Sequence, residues 1–130
     1  MAAAQQLPDR PAEAIATSLP PQCPQQDPSA GDAMPEVAGM DISGMDEAHR
    51  ASLEGMMKMH PAMLRGMMAD DPDVAFVCGM IAHHQGAIDM AQVELEHGDN
   101  DEAREMAQKI IDTQMKEIAD FTLWLEANAS

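Results

Sequence analysis

Aromatic side chains are nearly missing from this chain, which has no tyrosine, one tryptophan and two phenylalanines. Its bulky apolar positions must therefore be filled by other side chains. Basic residues are also few, seven against 23 acidic ones, for a net charge of −16. Nucleic acid and anionic membrane both recruit proteins through basic patches, so neither is expected as a partner, whereas cations are drawn to the surface. No apolar run approaches the ~20 residues of a membrane span. Two cysteines, Cys23 and Cys78, are too few for a disulfide framework and lack C-x-x-C spacing. Serine and threonine are sparse and lie away from the histidines, no glycine-rich phosphate loop is present, and no nucleophile–base–orienter set can be assembled. The residues predict a protein that is not an enzyme. Met1-Ala2-Ala3-Ala4-Gln5 lacks the basic and apolar regions of a signal peptide and reads as a mature N-terminus behind a start Met, so an exported protein is expected.

What takes the place of the aromatics is methionine, with fourteen residues. Methionine fills irregular gaps, but a core that needs only volume is better ordered by leucine. The excess is therefore a chemical signal, although Met-rich surfaces also serve promiscuous protein binding.

Residues 1–45 are rich in Pro, Gln, Ala and Gly, a composition that forbids a long helix or a central strand. They predict an extended tail carrying a short helical turn near Ala12–Ser18, with Met34, Met40 and Met45 in its last part. Residues 46–130 predict one helical domain. A first helix starts at Asp46-Glu47 and carries the stripe His49, Leu53, Met56, His60, Met63, Met67, with a kink or break expected at Pro61. Asp71-Pro72-Asp73 restarts a second helix that runs to about His97, with Gly98 as a left-handed stop. Asp99 or Asn100 caps a third helix that continues to about Ala127. No segment alternates with period two, so the fold is all-α. Folding the last two helices about Asp99 sets Val77, Ile81, His84, Ile88, Ala91 and Leu95 against Ala107, Ile110, Gln114, Ile118, Phe121 and Leu125, with His84 level with Gln114. A folded unit below ~100 residues has thin stability margins, and help from a metal, a disulfide or a second subunit is expected. The apolar Met surface predicts self-association, as a dimer.

The segment from Met80 to Ala91 places His83 and His84 in the middle of an apolar, helix-periodic run. A second stripe on that helix reads Met80, His83, Ala87, Met90, Glu94, His97. Met106 and Met115 are expected to approach it from the third helix, with the His/Met stripe of the first as a third wall. Thioether and imidazole together suit Cu(I), and Ag(I) by the same softness. His84 reads either as a ligand or as a buried imidazole bonded to Gln114. Glu94-x-x-His97 and Asp46-x-x-His49 echo the spacing of di-iron bundles, but the inward glutamates those sites need are missing. Cys78 falls on a polar back face with Ala82, Gln85, Asp89 and Glu96, and is expected either to bridge to Cys23 or to stay a free thiol.

Phe76 and the run Met80-Ile81-Ala82-His83-His84-Gln85-Gly86-Ala87-Ile88-Asp89-Met90-Ala91 resemble the signature of the CopM-like family. So do Ala107, Ile110, Gln114, Glu117-Ile118 and Trp124-Leu125, and the resemblance spans about residues 56–126. It implies a ferritin-like antiparallel bundle of three to four helices, in the periplasm or on the cell surface, that binds copper and contributes to copper resistance. The ligands it implies are Met80, His83, His84 and Met90, and the lead-in Met56, Met59, His60 and Met63 resembles other members. The expected function is to buffer Cu(I) or pass it between a periplasmic donor and acceptor. The alternatives are a Met-rich interaction module and a di-iron ferritin-like enzyme.

Overall fold

The computed structural model describes residues 19–25 and 43–129, and the expected turn near Ala12–Ser18 and residues Met34 and Met40 lie outside them. The chain is all-α, with three helices, α1 (Glu47–Met67), α2 (Pro72–His97) and α3 (Asp101–Asn128), and no strand among the described residues. Each start is capped by a side chain that accepts from backbone amides left unpaired in a first turn. Asp46 accepts from His49 N–H at 2.9 Å, Asp71 from Asp73 and Val74 at 2.9 and 3.1 Å, and Asn100 from Ala103 at 2.9 Å.

Two local expectations are corrected. Helix α1 runs unbroken through Pro61. One proline removes one hydrogen bond, and packing along α2 on both sides of that residue keeps the segment helical. Gly98 is extended (φ −75°, ψ 153°) and not left-handed. A glycine suits this position because of close approach: a Cβ there would lie 2.6 Å from the Glu94 carbonyl oxygen. The turn is braced by Arg104, whose guanidinium donates to Leu95 O at 2.7 Å and Gly98 O at 3.1 Å, satisfying carbonyls at the end of α2.

Helix α2 is the shared element. The outer helices each pack along it and barely touch one another. Against α1 the contact is backbone-close. A Cβ on Gly66 would sit 2.7–2.8 Å from the Cys78 carbonyl group and the Gly79 amide, and one on Gly86 would sit 2.1 Å from Met59 Sδ. Gly66, Met59 and Gly55 therefore fall beside Cys78–Gly79, Gly86 and Asp89, an antiparallel register. Against α3, Ile88 and Ala91 pack with Ala107 and Ile111, while Val77 and Ile81 join Leu125, with Ile118 and Phe121 alongside. The buried position is Ile111, at 1% exposure, whereas Ile110, expected inside, is 43% exposed. The two stand 100° apart on the helix, and the face centred on Ala107, Ile111, Ile118 and Leu125 covers α2 better.

The third covering of α2 comes from the tail. Leu19 and Cys23 are buried with Val77, Cys78, Ile81 and Leu125, and Cys23 is bonded to Cys78 across a Cα–Cα distance of 5.8 Å. The face expected to be polar and solvated is thus inside: Cys78, Ala82 and Gln85 are exposed by only 0%, 1% and 7%. Single-helix periodicity sees one apolar stripe, but a central helix is covered from several directions at once.

Candidate metal centre

Among the described residues, α1, α3 and the segment 19–25 leave one side of α2 open. Phe76, Met80, His83, Ala87 and Met90 recur on it at helical spacing. Phe76 and Met90 are about 60% exposed, at 61% and 58%, His83 is exposed, and Met80 is half-buried. The adjoining flank of α1 carries Met56, His60, Met63 and Met67. Its five charged residues, Glu47, Arg50, Glu54, Lys58 and Arg65, all fall on the other flank. The open cleft is therefore walled by thioethers and imidazole instead of ion pairs.

At one end of the cleft Met63, Met67 and Met80 line a groove together with Ala75, Phe76 and Gly79. Gly79 makes this possible, since a Cβ there would already meet Met67 Cγ at 3.0 Å. Three thioethers, one phenyl ring and no carboxylate make up a lining that fits a soft monovalent cation and offers nothing to Mg²⁺ or Ca²⁺. Met67 belongs to the α1 stripe but was not among the ligands expected from sequence. Its place in the groove follows from the α1–α2 register, which one helix at a time does not reveal.

The other expected ligands separate into groups. Met59 packs its thioether onto Gly86, so it fills the helix interface. Met56 and His60 share the flank of Met63, two turns and one turn away respectively. Met80 and Met90 lie on one continuous helix, ten residues and so about 15 Å apart along its axis, too far to share a small site. Met106, 58% exposed, stands eleven residues before Glu117 and hence on the same face of α3, three turns away. Met115 does not reach the cleft. It lies seven residues from Thr122 and three from Ile118, both of which line the opposite side of α3 facing Leu19–Gln22.

His84 turns inward. Its side chain is only 6% exposed, and its ring stands edge-on to Phe121 at a centroid distance of 5.4 Å. Nε2 is in hydrogen-bonding contact with Glu117 Oε2, while Nδ1 is buried without a partner among the described residues. Sequence reading gave this bond to Gln114. Glu117 is three residues further along the same face of α3, and its longer reach places the carboxylate on the ring. The polar pairing across the hairpin was readable; which of two neighbouring acceptors makes it was not.

Beyond the cleft, the N-cap carboxylate of Asp46 holds His49 Nδ1 at 2.7 and 2.8 Å. Bonding from the His49 backbone amide and then from its ring keeps the Asp46 carboxyl below the usual range. His97 lies 3.8 Å from Glu96 through Nε2. Among the described residues no three His, Cys, Asp or Glu side chains converge to hold a metal, so the two E-x-x-H-like spacings do not assemble a di-iron carboxylate set. On the tail-side flank, Asp89 sits in a cleft with Glu54, Gly55 and Lys58, and burial pushes its carboxyl up to about 6 against the pull of Lys58.

A family model described as "domain of unknown function (DUF305)" matches residues 10–125, a longer span than the motifs of α2 and α3 alone and one that takes in the Cys23 segment. No curated protein matches the chain.

Proposed function

We propose a copper-binding role for this chain, which belongs to the DUF305 family: it holds Cu(I) in the thioether groove of Met63, Met67 and Met80 and buffers or passes on the ion without catalysis. The observation that carries this reading is the meeting of three thioethers from two helices in an apolar groove that lacks any carboxylate. Cu(I) and Ag(I) favour such donors, and two or three suffice for them. His83 and His84 lie within one turn of Met80 on the same helix, so an imidazole donor is at hand beside the groove. A surplus of 23 acidic over seven basic residues raises the local concentration of cations. The resemblance to CopM-like proteins points the same way, toward copper resistance. The ferritin-like bundle of three to four helices that it implies leaves room for a further helix over the open side of α2. An oxidising compartment such as the periplasm suits a chain held by a Cys23–Cys78 bridge.

The test is a Cu(I) titration against a competing chelator, comparing wild type with Met63→Leu/Met67→Leu/Met80→Leu. Leucine keeps the volume and removes the sulfur. Loss of one equivalent, or an affinity lower by at least about a hundredfold, is expected, at about 1.4 kcal/mol per decade. Unchanged stoichiometry and affinity would sink the reading.

A second reading, a Met-rich interaction face, is favoured by one specific observation. Phe76, Met67, Met90, Met106 and Ile110 leave large apolar side chains exposed around the same cleft. A second copy is the simplest cover. Metal-independent dimerisation at micromolar concentration, abolished by Phe76→Lys, would support it, and a monomer at all concentrations would count against it.

A further inference from the structure

We propose that Glu117 is a positioning residue that fixes the tautomer of His84, making Nδ1 of His84 the imidazole donor of the copper site. The proposal rests on the copper reading above and deepens it. A carboxylate can only accept, so Nε2 of His84 must carry the proton that joins it to Glu117 Oε2. A proton on Nδ1 alone would set the Nε2 lone pair against that of the carboxylate oxygen. In the neutral ring Nδ1 is then a bare lone pair, and it is buried with no hydrogen-bond partner among the described residues. A buried acceptor left without a partner is uncommon and costly enough to require a reason. A metal ion supplies one.

The arrangement is the one metal-binding histidines use generally: one ring nitrogen ligates and the other donates to a carboxylate that sets tautomer and orientation. The remaining contacts hold the ring still. Phe121 meets it edge-on, and burial between α2 and α3 leaves only 6% of the side chain exposed. Met80, one turn earlier on α2, lines the thioether groove, so groove and imidazole are neighbours on one helix. His83 has a different setting. It is exposed, its ring centroid is 6.1 Å from that of His84, and it points away from the α2–α3 seam. Of the two adjacent histidines, the buried one is the prepared donor. Glu117 touches no ion itself. Its carboxylate is 46% exposed on the far side of the ring and acts through His84.

Long-range ¹⁵N–¹H correlation spectra of the metal-free full-length protein read the tautomer directly. A pyrrole-type Nε2 and a pyridine-type Nδ1 are expected at His84; the reverse assignment overturns the proposal whatever the protein does with copper. Adding Ag(I), a diamagnetic probe, is expected to shift His84 Nδ1 and leave the His83 nitrogens nearly in place. Full Ag(I) binding with His84 Nδ1 unmoved overturns the ligand assignment. Glu117→Ala is expected to scramble the tautomer and weaken Cu(I) binding by about 10–100-fold. Glu117→Gln, which keeps an acceptor oxygen, is expected to restore most of both. If wild type binds neither ion, the copper reading fails, while the metal-free spectrum still decides the role of Glu117.

Discussion

Replacing both bridge cysteines, Cys23→Ala with Cys78→Ala, isolates what the tail contributes. The bridge closes a loop across 55 positions. In the chain-entropy account a loop of that size restrains the unfolded ensemble by about 4 kcal/mol at 25 °C. Without the bridge the segment cannot hold itself in place. Release of the segment then uncovers Ile81 and Gln85, both buried beneath it. For a domain whose whole stability is about 5–15 kcal/mol, a loss of about 4 kcal/mol is large. In urea unfolding followed by circular dichroism, with m of about 2 kcal/mol/M, the midpoint should fall by about 2 M. Oxidised wild type treated with reductant should shift toward the same value, and hydrogen exchange should accelerate first in the turn of α2 around Cys78. A midpoint within about 0.3 M of wild type would refute the reasoning, because it would mean the tail neither restrains the unfolded chain nor shields α2.

Two glycines in α1 should respond with opposite signs. Gly66→Ala forces a methyl into the Cys78–Gly79 backbone and is expected to lose about 2 kcal/mol net, because overpacking outweighs the ~1 kcal/mol helix-propensity gain. Gly55→Ala meets only Asp89 Cβ at an ordinary 3.5 Å and should gain about 1 kcal/mol, read from the same urea midpoints. Asp89 titrates near 6 when folded against 3.8 when unfolded, because burial disfavours its charge. The folded state therefore holds the extra proton between about pH 4 and 6, and stability falls as pH rises through that window. Its half-exposed position reduces the effect to about 1–2 kcal/mol. Asp89→Asn should flatten that slope in a pH series of melting curves, and an unchanged slope would rule Asp89 out as its source.

The helices and their capping signals were readable because each depends on a few adjacent residues. Asp46, Asp71-Pro72 and the pair Asp99-Asn100 announced three starts, and of that pair Asn100 is the cap. What failed depended on a second element. The polarity of Gln85 and Asp89 suggested a solvated back to α2, yet the tail and α1 cover that side. Ile110 and Ile111 are equally apolar, and only docking on α2 chooses between them. Likewise Gln114 was expected to meet His84, and Glu117, three residues further along α3, makes the contact instead. Met67 joined the candidate site, and Met115 left it, for the same reason: the phase of one helix against its neighbour is a property of the pair.

The spine-like position of α2 has a kinetic consequence. Because α1 and α3 each dock on it and hardly on one another, the helix contacts join chain neighbours through short turns, a low-contact-order topology that favours rapid folding. Among the described residues, the segment around Leu19 and Cys23 ties distant chain positions together, through the Cys23–Cys78 bond and its packing on Ile81 and Leu125, so oxidation is the slow step to be expected after the helices have assembled. The two hairpins are also separable units of opening. Opening of α3 alone would part Glu117 from His84 and leave the Met63–Met67–Met80 groove on the α1 side assembled. An ion held by both hairpins would lock that motion, and its departure would begin with α3.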